Sequence, residues 1–211
     1  MQSNLFDGDE SLGEAITHSI GSAELLEYPQ IIDPVEATQI LETLIADIPW
    51  RQERLRIAGK LRAIPRLQCW MGDQASEYGY SGVRLTPCPW HEIVKTLHDR
   101  VAELSGSTFN SVLINYYRDG QDSVAWHADN EEELGSTPMI ASVSLGAERI
   151  FEIKQKHQTP AKKYQLLLRH GSLLIMSGSM QQQCLHQLPK EKGLAESRIN
   201  LTFRNIISNK N

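Results

Sequence analysis

The sequence predicts an α+β fold in which a double-sheet jelly-roll core is braced by helices. Three observations predict it. Two stretches in the first half carry apolar residues at helical spacing. From Ser111 onward the apolar period switches to two, and Gly, Pro, Asn or charged turns cut that half into eight short segments. Helices followed by a run of short strands fit helices packed on a closed double sheet.

The elements follow in order. Residues 1–27 are acidic and polar with no sustained apolar period, and read as a mobile tail. Asp33-Pro34 reads as an N-cap followed by proline at the first helical position. Val35, Ile40, Leu41, Leu44, Ile45 and Ile48 then form an apolar stripe up to Pro49. Ala58 to Cys88, rich in Gly, Pro and aromatics, suggests short strands and loops that present side chains to a ligand. A second helix is expected over Pro89–Leu104, with Ile93, Val94, Leu97, Val101 and Leu104 at helical spacing and Gly106 just past its end. The strand candidates are 112–118, 123–127, 140–145, 149–154, 164–168, 172–177, 183–187 and 199–206. Residues 28–211 thus read as one domain, with helices and a ligand-presenting segment over 28–110 and the core over 111–211. There is no internal repeat or low-complexity segment.

A chain of 211 residues has enough material for one well-buried core. No apolar run approaches the roughly 18 to 20 residues of a membrane span, and the N-terminus lacks a basic region followed by an apolar one, so a cytoplasmic protein is expected. Cys69, Cys88 and Cys184 are odd in number and widely spaced, which argues against a disulfide framework and fits a reducing compartment. Charge is segregated. Residues 1–50 hold ten of the 26 acids and none of the 21 bases, so the remaining 161 carry sixteen acids against 21 bases. Within that basic part, Arg51, Arg54, Arg56, Lys60, Arg62 and Arg66 face the single acid Glu53, an electrostatic footprint for phosphates. On charge alone a solvated face is the favoured reading, and only the candidate metal ligands downstream shift the balance toward nucleic acid.

Chemistry is carried by His127-Ala-Asp129 and a distant His186. Residues i and i+2 of a strand share a face, so His127 and Asp129 can grip one ion while Ala128 points away. His186 would complete a set of two imidazoles and one carboxylate, the arrangement associated with non-haem Fe(II) oxygenases. A zinc hydrolase could use the same ligands. Asn115 and Tyr117 share one face of the preceding strand. In Arg198–Arg204 the alternation is complete, with Arg198, Asn200, Thr202 and Arg204 on one face and Ile199, Leu201 and Phe203 on the other. Buried guanidiniums need an anion. Six residues span about 20 Å of strand, so two arginines leaning inward leave a gap on the scale of a small dicarboxylate that could satisfy both. Edge arginines bridged to this chain's own acids are the bland alternative, and a dicarboxylate pocket would be of no use to the zinc hydrolase. Cys184 and His186 could be half of a zinc site, but no second Cys pair exists to complete it.

The chain resembles the AlkB family of Fe(II)- and 2-oxoglutarate-dependent nucleic-acid dealkylases. The resemblance runs over residues 50–207 through Pro65-Arg66, Tyr80-Ser81-Gly82, Pro87-Cys-Pro-Trp90, Asn115-Tyr-Tyr117, Asp119-Gly120, Asp122-x-Val-x-x-His127-x-Asp129, Ile140–Gly146, His170–Leu174, His186-x-Leu-Pro189 and Arg198–Arg204. It is nearest to the subgroup that repairs methylated DNA. The fold it implies is a double-stranded β-helix preceded by a nucleotide-recognition segment. It further implies that His127, Asp129 and His186 hold Fe(II), and that Asn115, Tyr117, Arg198 and Arg204 hold 2-oxoglutarate, with Asn200 on the same inward face. In this division Arg198, helped by Tyr117, takes the distal carboxylate, while Asn115 and Arg204 lie nearer the chelating end. Oxygen and 2-oxoglutarate would be consumed to hydroxylate an N-alkyl group, which leaves as formaldehyde.

For the substrate, the resemblance implies a base stacked on Tyr80 with the His127 ring opposite, Tyr78 and Ser81 at the rim, and Glu131 at the base edge. Arg51, Arg62 and Arg66 would meet phosphates. One departure bears on strand preference. The hairpin Arg56-Ile57-Ala58-Gly59-Lys60 lacks the bulky wedge of duplex-repairing relatives, so a single-stranded or flipped-out base is expected, with Ile57 or Leu61 the remaining apolar candidates. The expected partner is alkylated DNA, with RNA possible, acted on by a monomer with no membrane attachment. RNA demethylation, protein hydroxylation and a non-catalytic nucleic-acid-binding module are the rival readings.

Overall fold

A computed structural model describes residues 14–57, 59–73, 78–80, 83–85, 87–157, 159–160 and 162–207. The eight period-two segments become β8 (Ser111–Tyr117), β9 (Val124–His127), β10 (Ile140–Gly146), β11 (Arg149–Gln155), β12 (Lys163–Leu168), β13 (Ser172–Met176), β14 (Cys184–Leu188) and β15 (Arg198–Arg204). Apart from β11 and β12, consecutive members of this series fall in opposite sheets. β8, β10, β13 and β15 join a seven-stranded sheet, and β9, β11, β12 and β14 form a four-stranded one in the order β12-β11-β14-β9. Every one of these pairings is antiparallel. This is the predicted jelly roll.

The larger sheet is extended on both sides, in the order β1-β2-β13-β10-β15-β8-β5. Its added strands are β1 (Ile16–Ile20), β2 (Ala23–Tyr28) and β5 (Leu67–Gly72). β1 and β2 correct the expectation of a mobile tail through residue 27. β2 pairs with β13 from Leu25 to Tyr28, and Ile20, Ala23 and Leu25 are buried in the cluster between the sheets. Glu24 and Glu27 dilute the apolar alternation in the sequence. Glu27, however, is itself buried, and accepts from His18 Nε2 at 2.7 Å and Arg169 Nη1 at 2.8 Å. Residues 1–13 of the expected tail lie outside the described residues.

The two helices cover the outer face of the larger sheet. In α1 (Pro34–Asp47), Asp33 caps the start by accepting from Val35 N at 2.9 Å and Glu36 N at 3.3 Å. In α2 (Glu92–Ser105), the start falls three residues later than expected because the chain is still extended at His91. Gly106 ends it in the left-handed region at φ 62°. Ile40 and Leu44 of α1, with Val94, Leu97 and Val101 of α2, bury against Ile199, Leu201 and Phe203 of β15. That burial commits the apolar face of β15 outward and turns Arg198, Asn200, Thr202 and Arg204 toward the smaller sheet. Two hairpins stand before the core: β3 (Arg54–Ile57) with β4 (Lys60–Ala63), and β6 (Tyr78–Tyr80) with β7 (Val83–Leu85).

The loops that launch β9 and follow β14 are tied together. Gly120 N donates to Leu194 O and Glu191 N to Gly120 O, and a Cβ at Gly120 would collide with the Glu191 carbonyl oxygen. Buried Arg149 donates to both the Asp122 and Pro189 carbonyls. Two strands carrying polar inward side chains are thereby held at a fixed spacing. Cys69, Cys88 and Cys184 are free thiols.

Candidate active site

His127 and His186 are direct cross-strand partners in the β9–β14 ladder, with ring centroids 4.2 Å apart. Asp129 lies two residues past the end of β9, yet its carboxylate returns to the same place, with Oδ1 3.8 Å from His127 Nε2. One ligand atom from each of the three residues lies within 4.8 Å of the others, the one cluster of its kind among the described residues. The donor chemistry suits a metal. His127 Nδ1 lies 2.9 Å from the Ala125 carbonyl, which can only accept, so Nδ1 carries the proton and the Nε2 lone pair is left for an ion. Burial, with the Arg204 charge adding to it against the opposing Asp129 carboxylate, pushes the His186 imidazole down to about 3, so it is neutral at neutral pH. Burial pushes the Asp129 carboxyl up, but the Arg204 guanidinium, which also donates a hydrogen bond to it, prevails and brings it down to about 2. Asp129 Oδ1 and His186 Nδ1 are buried without a hydrogen-bond partner. Buried polar atoms left uncompensated in a cluster of two imidazoles and a carboxylate fit an ion there.

Beside the triad is a cavity of about 60 Å³, several times the space one water needs. The larger sheet supplies its polar wall. Tyr117 and Arg198 are opposite one another in the β8–β15 ladder, as are Asn115 and Asn200. Arg198 is 1% exposed, and Nη2 donates to Ser144 Oγ at 2.8 Å, while Nε and Nη1 are buried with no hydrogen-bond partner. Burial lowers the guanidinium to about 10, with the Arg149 charge adding to it against the opposing effect of Tyr117. A buried cation that lines a cavity and keeps two nitrogens without a hydrogen-bond partner suits an anion.

The two arginines differ in a way the sequence did not show. Arg204 Nη2 donates to Asp129 Oδ2 at 3.0 Å. Its charge is therefore met in part by the protein's own carboxylate, while the guanidinium still lines the cavity. Asn200 donates to Ser142 Oγ and the Val143 carbonyl and accepts from Thr202 Oγ1, so it shapes the wall through its neighbours. Asn115 Oδ1 accepts from Arg66 Nε at 2.9 Å and Gln68 Nε2 at 2.7 Å, which leaves its NH₂ as the end it can offer the cavity.

Arg66 requires a second correction. It is 5% exposed, lines the cavity, and donates to Asn115 Oδ1 and the Ser123 carbonyl. A side chain so enclosed does not reach phosphates on a surface. Its place is behind Asn115.

Across residues 24–204 the sequence matches the 2OG-Fe(II) oxygenase superfamily. It is 40% identical over 205 residues to the alpha-ketoglutarate-dependent dioxygenase alkB homolog 3 of Homo sapiens, covering 93% of this chain and 71% of that one. It is 35% identical over 213 residues to the DNA oxidative demethylase ALKBH2 of Homo sapiens, covering 97% of this chain and 82% of that one. The chain belongs to the AlkB family of Fe(II)- and 2-oxoglutarate-dependent dioxygenases. The solved structure of OsALKBH1 shares the fold, with a TM-score of 0.60 at 15% identity over 90% of this chain and 100% of that one. Membership makes the protein an enzyme that uses Fe(II), 2-oxoglutarate and O₂.

Other residues expected to contact substrate of this AlkB-family enzyme are placed less completely. Tyr78 and Tyr80 lie on β6, paired to Leu85 and Val83, but their side chains, and Ser81 altogether, lie outside the described residues. Glu131 is half-buried, two residues after Asp129, where it begins a single 3-10 turn. On the β3–β4 hairpin Arg54, Arg56, Lys60 and Arg62 are exposed, as is Leu61 at 53%, while Ala58 and the Ile57 side chain lie outside the described residues.

Sequence reasoning missed four residues of the site. Ser142 and Ser144 alternate with Ala141, Val143 and Leu145 on β10, a period-two signal that could have placed them inward. Gln68 and Gln181 carried no such signal, because each is defined by a partner far away in the chain.

Proposed function

We propose that this enzyme removes N-alkyl groups from nucleic-acid bases by oxidation, with DNA as the principal substrate. The observation that carries the proposal is the buried Arg198 guanidinium, which meets no acid among the described residues and lies next to the His127, Asp129 and His186 cluster, since it calls for a bound anion beside a metal. The names of relatives, DNA oxidative demethylase among them, supply the substrate class.

In this reading His127 Nε2, Asp129 Oδ1 and His186 hold Fe(II), which when bound supplies the activation of O₂ coupled to decarboxylation of 2-oxoglutarate. Arg198, flanked by Tyr117, fixes the distal carboxylate, and the Asn115 NH₂ faces the other end of the co-substrate. Arg204 holds Asp129 ionised and oriented through Oδ2. Apolar Leu113, Phe151 and Leu188 line the same cavity and limit water around the reacting groups. The hydroxylated alkyl group then leaves the base nitrogen as formaldehyde.

The exposed bases of the β3–β4 hairpin support contact with phosphates, and the missing wedge supports single-stranded or flipped-out targets. Three free thiols support a cytoplasmic setting. The test is formaldehyde release from matched methylated DNA and RNA oligonucleotides, single-stranded and duplex, with and without 2-oxoglutarate. Release from single-stranded DNA that requires 2-oxoglutarate is expected. Release from RNA alone would move the substrate to RNA, and no release from any oligonucleotide would leave the chemistry to a protein target.

A further inference from the structure

Asp129 sits beyond the last paired residue of an edge strand, since the β9–β14 pairing stops at His127. The backbone that carries this carboxylate is held instead by a side chain, for Asp129 N donates to Gln181 Oε1 at 3.0 Å. Gln181 is 1% exposed and lies on α3 (Met180–Gln183), the single turn that leads directly into β14 and so to His186. It is anchored in turn. Lys156 Nζ, just past β11, donates to the Gln181 carbonyl at 2.8 Å, and Gln181 Nε2 lies 3.7 Å from Met176 Sδ. The amide oxygen has one visible task, which is to receive the Asp129 N–H.

We propose that Gln181 is a positioning residue for the metal centre. It couples the segment carrying Asp129 to the turn that launches His186, so that the two ligands keep their separation whatever the edge strand does. This rests on the metal-centre reading above. With Oδ2 taken by Arg204, Asp129 has only Oδ1 to give an ion, and a small swing of its backbone would carry that atom away from His127 Nε2. Partners behind a ligand commonly change metal affinity by about 10- to 100-fold when removed.

The test is titration of the full-length apo protein with Co(II) alone, following its visible absorption, beside far-UV circular dichroism. Gln181→Met keeps the volume but removes the acceptor, and is expected to raise the Co(II) dissociation constant by about tenfold or more and to alter the band intensities. Lys156→Met leaves Asp129 and Gln181 in place but loosens the anchor, and is expected to raise it by a smaller but measurable factor. A purely structural role would change the melting temperature and leave the affinity and spectrum of the folded protein alone. A folded Gln181→Met with wild-type affinity and spectrum overturns the proposal. If Gln181→Met does not fold, wild-type affinity in Lys156→Met overturns it. Absence of a Co(II) band in the wild type would instead bring down the metal-centre reading itself.

Discussion

His127 and His186 face each other across one rung of the β9–β14 ladder, their ring centroids 4.2 Å apart and their planes at 63°. An edge strand and its neighbour thus bring together ligands 59 residues apart in sequence, and the ladder sets their spacing. Asp129 has no such rung and depends on Arg204 and Gln181. The three ligands are therefore held by different means, which separates what each substitution should do.

His127→Ala or His186→Ala should each lower 2-oxoglutarate-dependent formaldehyde release by at least about 100-fold, the upper end of what loss of a mere supporting partner costs. Weak binding of single-stranded DNA should survive, because the exposed hairpin bases lie on separate strands. The paired measurement is turnover and oligonucleotide retention on the same preparations. Residual turnover near wild type would remove that imidazole from the metal.

Arg198→Ala should weaken 2-oxoglutarate binding by at least about tenfold, as expected from losing a charge-assisted hydrogen bond of about 1.5–3 kcal/mol. Metal affinity should be unaffected, since Arg198 bonds to Ser144 and not to any of the three ligands. Ligand-induced thermal shifts check this. The same concentration of 2-oxoglutarate should raise the melting temperature of the wild type more than that of the variant, and an equal rise in both would place the anion elsewhere.

Much of this site was legible because of alternation. In Arg198–Arg204 every second residue is polar and the rest are apolar, so burial of Ile199, Leu201 and Phe203 under the helices leaves the polar set one place to go. The same logic placed Asn115 and Tyr117. Alternation says which face a side chain takes but not what it meets there. It could not show that Arg204 pairs with Asp129, 75 residues earlier, while Arg198 meets no acid among the described residues. Arg66 misled for a related reason: it sits among exposed bases in the sequence, but its partners Asn115 and Ser123 are 49 and 57 residues away. β2 was hidden by two glutamates, one of which the fold buries and pairs.

The placement of Arg66 gives a contrast between neighbours. Arg62→Ala, on the exposed β4, should reduce the salt slope of DNA binding by about one. Arg66→Ala should leave that slope alone and weaken 2-oxoglutarate binding instead, because Asn115 loses one of the two donors that orient it. Binding isotherms at several salt concentrations decide it, and a reduced slope for Arg66→Ala would return that residue to the DNA surface.

Asp122 links the foot of β9 to pH. Its carboxyl is buried, which pushes its pKa up, but the Arg118 guanidinium at 2.7 and 2.9 Å and the Arg118 N–H at 3.0 Å outweigh this and hold it below the usual carboxylate value. A depressed folded pKa means that the unfolded chain takes up the proton first as pH falls. The stabilisation is therefore complete above the unfolded value of about 4 and is lost as pH drops through the lower folded value. The Arg118 side chain is 44% exposed, so the effect is screened and its size modest. Asp122→Asn should lower the melting temperature by a constant amount between about pH 7 and 5, with the gap to wild type narrowing below about pH 4. Thermal unfolding of both proteins across that range checks the sign. A gap that stays constant down to pH 3 would mean the carboxylate's charge contributes nothing, and that Asp122 acts through its shape and its backbone carbonyl, which Arg149 also holds.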